Sequence, residues 1–249
     1  MSSSAPAHGP SQALAAFAAS APDADARALD AARALLRRVD AEAPVEPAAN
    51  DGASRDGAHV PPPRAAIDAA YGPPMRDAFE TVIAMGDSGI ERGEVAIVAA
   101  ARAAARLRGG DETTTIRAIA IGREVALRLA GALAFDRAWD ARAVCARIGA
   151  TAAAARAAGL DESQARDALG LAATQAAGLR VARGSAAETA TFAKIAPDAL
   201  EAVVLARHGF TAAPASLEGR RGLAALMGSH FDAAAFVAGL GARWISAEG

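Results

Sequence analysis

The sequence predicts an all-α fold, and three observations carry that expectation. Alanine, the strongest helix former, dominates an apolar content of 53%, while aromatic residues reach only 4%. Runs of β-branched residues are scarce, so few segments favour a strand. Helix punctuation recurs: glycines stand where apolar periodicity ends, and Asp or Ser/Thr stands where it begins. With so little aromatic bulk, the helices should pack closely through small side chains.

Taken in order, residues 1–10 form a Ser/Ala/Pro tail expected to be disordered. Residues 11–40 read as one or two amphipathic helices with Leu14, Phe17, Leu29, Leu35, Leu36 and Val39 as apolar positions. Residues 41–64 are rich in Pro, Gly, Asp and Asn and read as a flexible linker. A helical domain is then expected over 65–249. Its first helix, Ile67 to Ala84, is broken or delayed by Gly72-Pro73-Pro74. Met85 to Gly93 reads as a turn, because glycines permissive for the left-handed region flank acidic residues there. Glu94 to Arg108 should bury Val95, Ile97, Val98 and Ala101, and Gly109-Gly110 should end it.

Asp111 or Thr113 caps a helix running to about Ala134, with Ile116, Ile119, Ala120, Leu127, Ala130 and Leu133 on one face. Arg142 to Ala158 follows, closed by Gly159 as a left-handed C′ residue with Leu160 as its apolar contact. Asp161 and Gln164 have capping-box spacing for a helix carrying Ala168, Leu169, Leu171, Ala172 and Gln175. After a Thr/Ala-rich link, a helix starts near Pro197, a tolerated first-turn proline, and ends at His208-Gly209. His208 sits where a basic residue meets the helix C-terminal dipole. Leu223 to Met227 and a final helix from Phe231 to Leu240 complete the chain.

A formal net charge of -2 gives no attraction to nucleic acid or an anionic membrane. The single Cys145 excludes an intrachain disulfide framework and a cysteine-based zinc site. It reads as a small buried residue. Arginine interrupts every alanine-rich run, so no membrane span is expected, and the N-terminus lacks the pattern of a signal peptide. A cytoplasmic protein is expected. Of 26 basic residues Lys194 alone is lysine, a bias that fits a GC-rich bacterial genome.

The order G-L-D-x-x-Q from Gly159, A-L-G-L-A from Ala168, then L-A-x-x-G-F-T-x-x-P-x-x-L-E-G-x-x-G from Leu205 resembles the MmgE/PrpD family. Its members include 2-methylcitrate dehydratase, cis-aconitate decarboxylase and iminodisuccinate epimerase. The resemblance reaches more weakly upstream to about Phe79 and faintly to Leu14. Gly122 to Leu129 is similar to the family's G-x-E-V-x-x-R-L segment. It implies a helical bundle domain without the α/β lid domain that follows the L-E-G motif in full-length relatives. Proton abstraction beside a carboxylate with β-elimination is the implied chemistry, which needs a base, an acid and groups for substrate carboxylates.

The residues at the matching places depart from the pattern. Asp87 answers to the family's aspartate turn, but Ile90 to Gly93 lack its His-Pro pair. In the G-F-H-x-T segment, Asp140 replaces the histidine and Arg142 the threonine. In K-x-L-H-x-G-x-A-A, Glu188 stands at the lysine and Thr191 at the histidine. Lys194 lies six residues beyond Glu188. Asp87, Asp140 and Lys194 are therefore the candidate catalytic residues, and Arg142, Glu188 and Thr191 the candidate substrate-binding ones. Together the acids Asp87, Asp140 and Glu188 would repel a polycarboxylate. They would suit magnesium or calcium as oxygen ligands. The plainer reading, solvated acids on surface loops, is adopted, with no metal or cofactor expected. Glu218 of the L-E-G motif reads as structural, a loop-closing carboxylate.

The expected function is a half-length, catalytically degenerate relative that acts as a scaffold. It would form a homodimer or pair with a separately encoded lid-domain chain. A divergent lyase or isomerase acting on a small di- or tricarboxylate is the alternative, with a non-catalytic module binding a small carboxylate as the third.

Overall fold

The computed structural model describes residues 9–20, 24–43, 72–85 and 88–247. Among these, eleven α-helices and one two-stranded sheet are formed. In chain order the helices are α1 (Pro10–Ser20), α2 (Ala26–Glu42), α3 (Pro73–Ala84), α4 (Arg92–Leu107), α5 (Glu112–Ala132), α6 (Ala141–Ala158), α7 (Glu162–Thr174), α8 (Ala186–Ala193), α9 (Ile195–Arg207), α10 (Leu223–Met227) and α11 (Ala233–Val237). Strand β1 (Leu133–Phe135) pairs antiparallel with β2 (Gly228–Phe231), Leu133 opposite Phe231. The fold is all-α, with this small sheet as its one departure among the described residues.

Helix α6 is the axis. It is buried on almost every side from Ala143 to Ala158 and packs against α4, α5, α7 and α9. Small side chains make that enclosure possible. Where α5 crosses α6, Gly122 faces Gly149, and a Cβ placed on Gly149 would stand 2.5 Å from the Gly122 carbonyl oxygen. The core extends from Leu14 to Trp244, whose ring lies 5.3 Å from that of Phe17. So α1 and the end of the described chain share one apolar cluster.

Capping follows the sequence closely. Asp140 accepts from Arg142 N at the start of α6, Gly159 ends that helix at φ 62°, and Leu160 is buried beyond it. Asp161 and Gln164 form the reciprocal capping box of α7. Asp111, not Thr113, caps α5 by accepting from Thr114 N at 2.8 Å. His208 Nδ1 lies 2.8 Å from the Val204 carbonyl oxygen at the end of α9. Glu218 serves α1 instead of its own loop: its carboxylate accepts from Ser11 N at 3.2 Å and from the Ser11 hydroxyl. The L-E-G motif therefore anchors the first helix.

Several boundaries and one face differ from expectation. The Thr/Ala-rich link is itself helical: α8 buries Phe192, Thr189 and Ala193 against its neighbours. Helix α4 begins at Arg92, because Glu91 turns back to accept from Gly93 N, so the preceding turn is shorter. Within that turn Gly89 takes φ 71°. Helix α2 continues to Glu42, two residues into the expected linker, and the rest of 44–64 lies outside the described residues. Helix α3 starts at Pro73 behind Gly72, and residues 67–71 of the expected helix lie outside the described residues.

On α5, Leu127 and Ala130 face solvent, contrary to the apolar stripe read from the sequence. The reason is an ion pair that occupies the inner face. Arg128 Nε donates to Glu124 Oε1 at 2.6 Å with both side chains buried. The Arg128 guanidinium also donates to the carbonyls of Phe236, Ala238 and Arg243, while Glu124 accepts from Ile245 N and Ser246 N. These bonds fasten the segment after β2 onto α5. They also explain why the expected final helix, Phe231 to Leu240, shortens to Ala233–Val237: its carbonyls and the turn beyond are bound to Arg128 instead.

Candidate functional site

The start of α6, the start of α4, helix α8 and the loop between α7 and α8 converge on one polar cluster. Asp140 is 3% exposed, yet both its oxygens accept from two guanidiniums. Arg142 donates from Nε at 3.1 Å and Nη2 at 2.7 Å; Arg183 donates from Nε at 2.9 Å and Nη2 at 3.0 Å. Arg142 Nη2 also reaches Glu188 Oε1 at 2.6 Å. The other Glu188 oxygen accepts from Gly184 N at 2.8 Å and lies 3.8 Å from Arg92 Nη1. Glu91 completes the group, 3.6 Å from Arg142 Nη1. Three carboxylates meet three guanidiniums. The Arg142 guanidinium carbon sits 5.5 Å from the centre of the Phe192 ring.

Electrostatics follow from this geometry. Burial works against ionisation of Asp140, but the hydrogen bonds from Arg183 and Arg142, with the charges of both, more than offset it. The carboxyl is held well below the usual aspartate range. Glu188 is also lowered: burial opposes, and the Gly184 amide, Arg142 and Arg92 prevail. Arg142 is raised, chiefly by its bond to Asp140. Nearby Cys145 is buried, and desolvation followed by the Asp140 charge pushes its thiol up to about 12.

Beside this cluster lies a cavity of about 10 Å³, lined by Asp140, Ala143, Gly178, Leu179, Thr191 and Phe192 among others. It holds about one water at most. Thr191 turns its hydroxyl to the Ala187 carbonyl at 2.8 Å, as helical threonines do.

Four of the six residues singled out in the sequence therefore meet: Asp140, Arg142, Glu188 and Thr191. Lys194 does not join them. It lies between α8 and α9 with Nζ 3.3 Å from Asp198 Oδ1, and the buried Arg147 binds the same carboxylate. Asp87 lies outside the described residues. Asp140 and Glu188 are not solvated surface acids: they are buried because arginines neutralise them, which also removes the expected repulsion of anions. Sequence reasoning missed Arg183, Arg92 and Glu91. Arg183 sits in G-L-R-V-A-R-G, a segment with no motif to mark it. No group of three or more His, Cys, Asp or Glu side chains that could hold a metal ion occurs among the described residues. No described helix is long and apolar enough to cross a membrane.

The family model for the MmgE/PrpD N-terminal domain matches residues 92–236, from the first turn of α4 into α11. The chain belongs to the MmgE/PrpD family. No curated protein matches it. The matched span contains the whole polar cluster except Glu91, whereas α1, α2 and α3 precede it. Thus Asp140, Arg142, Glu188 and Thr191 lie at one place within the matched helical domain of this MmgE/PrpD chain.

Proposed function

We propose that this MmgE/PrpD chain is a catalytically degenerate member that works as a scaffold, assembled as a homo-oligomer or with a separately encoded lid-type chain. One observation carries the reading: Asp140, which the motif count sets against a family histidine, has both oxygens consumed by Arg142 and Arg183. A general base works best with a pKa near the working pH, and a carboxylate depressed by two guanidiniums is a weak base. Glu188, which the same count sets against the family lysine, is depressed in the same direction. Space agrees with charge, since a cavity of about 10 Å³ beside these groups does not admit a tricarboxylate.

The convergence of Arg142, Asp140, Glu188 and Thr191 favours a second reading, a divergent lyase or isomerase for a small di- or tricarboxylate. Under that reading the guanidiniums would bind substrate carboxylates, and Asp140 would have to leave them first. Binding of a small carboxylate without turnover is the corresponding non-catalytic form. Purification of the tagged chain from its native cell, with the intact assembly mass, tests the first reading. A homo-oligomer or a stoichiometric second chain is expected. A monomer at working concentration would contradict it.

A further inference from the structure

The loop between α7 and α8 crosses the small cavity from Gly178 to Ser185. We propose that this loop is an ionic strap, held closed by Asp140 and Glu188 rather than by packing, and able to open as a unit. The inference concerns regulation of the same site and rests on reading its carboxylates as structural.

Three features set the strap apart. Its central turn, Arg180–Ala182, buries no residue, and Leu179 and Val181 are 55% and 88% exposed. Apolar burial therefore contributes little to closure, which places the segment at the low end of local stability. Glycines with positive φ stand at both ends, Gly178 at 137° and Gly184 at 77°. They permit backbone rotation that residues with a Cβ resist.

The ties are all polar, and all but one reach a helix cap or a first helical turn. Arg183 grips Asp140, which is fixed as the cap of α6, through two hydrogen bonds. The Gly184 amide donates to Glu188, fixed in the first turn of α8. Two backbone bonds complete the set, Asp140 N to the Gly178 carbonyl and Arg180 N to the Ala138 carbonyl, each 2.8 Å. Arg142 keeps its own bonds to Asp140 and Glu188 when the strap leaves, so both carboxylates retain a partner. Opening would then uncover the cavity floor at Ala143, Thr191 and Phe192. Ion pairs with exposed members weaken with salt. Arg183 is such a member, with its side chain 40% exposed.

Amide hydrogen exchange of the full chain, resolved by residue, tests the strap. In the wild type, raising sodium chloride to about 1 M, where the screening length falls to about 3 Å, should speed exchange at Arg180 and Gly184 together by about threefold to fivefold. Amides of Ile148 and Ala152 in α6 should not change. Arg183→Met should reach the fast rate at low salt and lose most of the salt dependence, with Arg183→Lys in between. Unchanged protection of Arg180 in Arg183→Met would overturn the strap. So would opening only in step with α6. Turnover of a carboxylate would defeat the scaffold reading, whereas these rates report closure alone.

Discussion

Replacing Arg128 by methionine removes the cation paired with a fully buried Glu124. Both side chains are 1% exposed or less. The substitution deletes the 2.6 Å bond to Glu124 and the bonds to the carbonyls of Phe236, Ala238 and Arg243. Methionine fills much of the volume, so the main cost is an uncompensated buried carboxylate, about 3–5 kcal/mol. For a chain of this size each kcal/mol moves the midpoint by roughly 2–4 °C, so Tm should fall by about 6–20 °C. Circular dichroism at 222 nm measures it. The double variant Glu124→Leu/Arg128→Met removes both charges and should recover a large part of the loss, because replacing a buried pair by apolar groups is often near neutral. A loss below about 1 kcal/mol in the single variant, or a double variant no better than the single, would refute the reasoning.

Further outcomes follow from the same contacts. Asp140 has a folded-state pKa below its ordinary value near 3.8, so its stabilising effect is complete above that value and is lost as pH falls through the folded one. The stability gap between wild type and Asp140→Asn in denaturant titrations should therefore be full at pH 7 and narrower at pH 3. Gly149→Ala places a methyl group against the Gly122 carbonyl and the Ala126 side chain. It should cost about 1–3 kcal/mol by overpacking, read as a shift of the denaturant midpoint. Cys145, buried with its thiol raised to about 12, should react with a disulfide reagent at neutral pH only as fast as the protein unfolds.

Local chemistry made much of the fold legible. Asp161 with Gln164, Gly159 with Leu160, and His208 before Gly209 are each complete within a few residues, and each forms as read. What failed depends on contacts distant in sequence. The Leu127 face departs from the apolar stripe because Arg128 is drawn inward by carbonyls about 110 residues away, which no periodicity reports. Likewise α8 looked like a link until the buried Phe192 packed against its neighbours. The site was half legible: the motif count singles out Asp140, Arg142, Glu188 and Thr191, and the fold brings them to one place. Their charge state was not, because Arg183 arrives on a loop 43 residues from Asp140 with no motif to mark it.

The most direct test of the account is turnover. The purified full chain is incubated with 2-methylcitrate and with cis-aconitate, products are followed by proton NMR, and Asp140→Asn is run beside the wild type. The scaffold reading predicts no product above buffer from either protein. Product from the wild type that disappears in Asp140→Asn would contradict it and make Asp140 a working residue of a rebuilt active site.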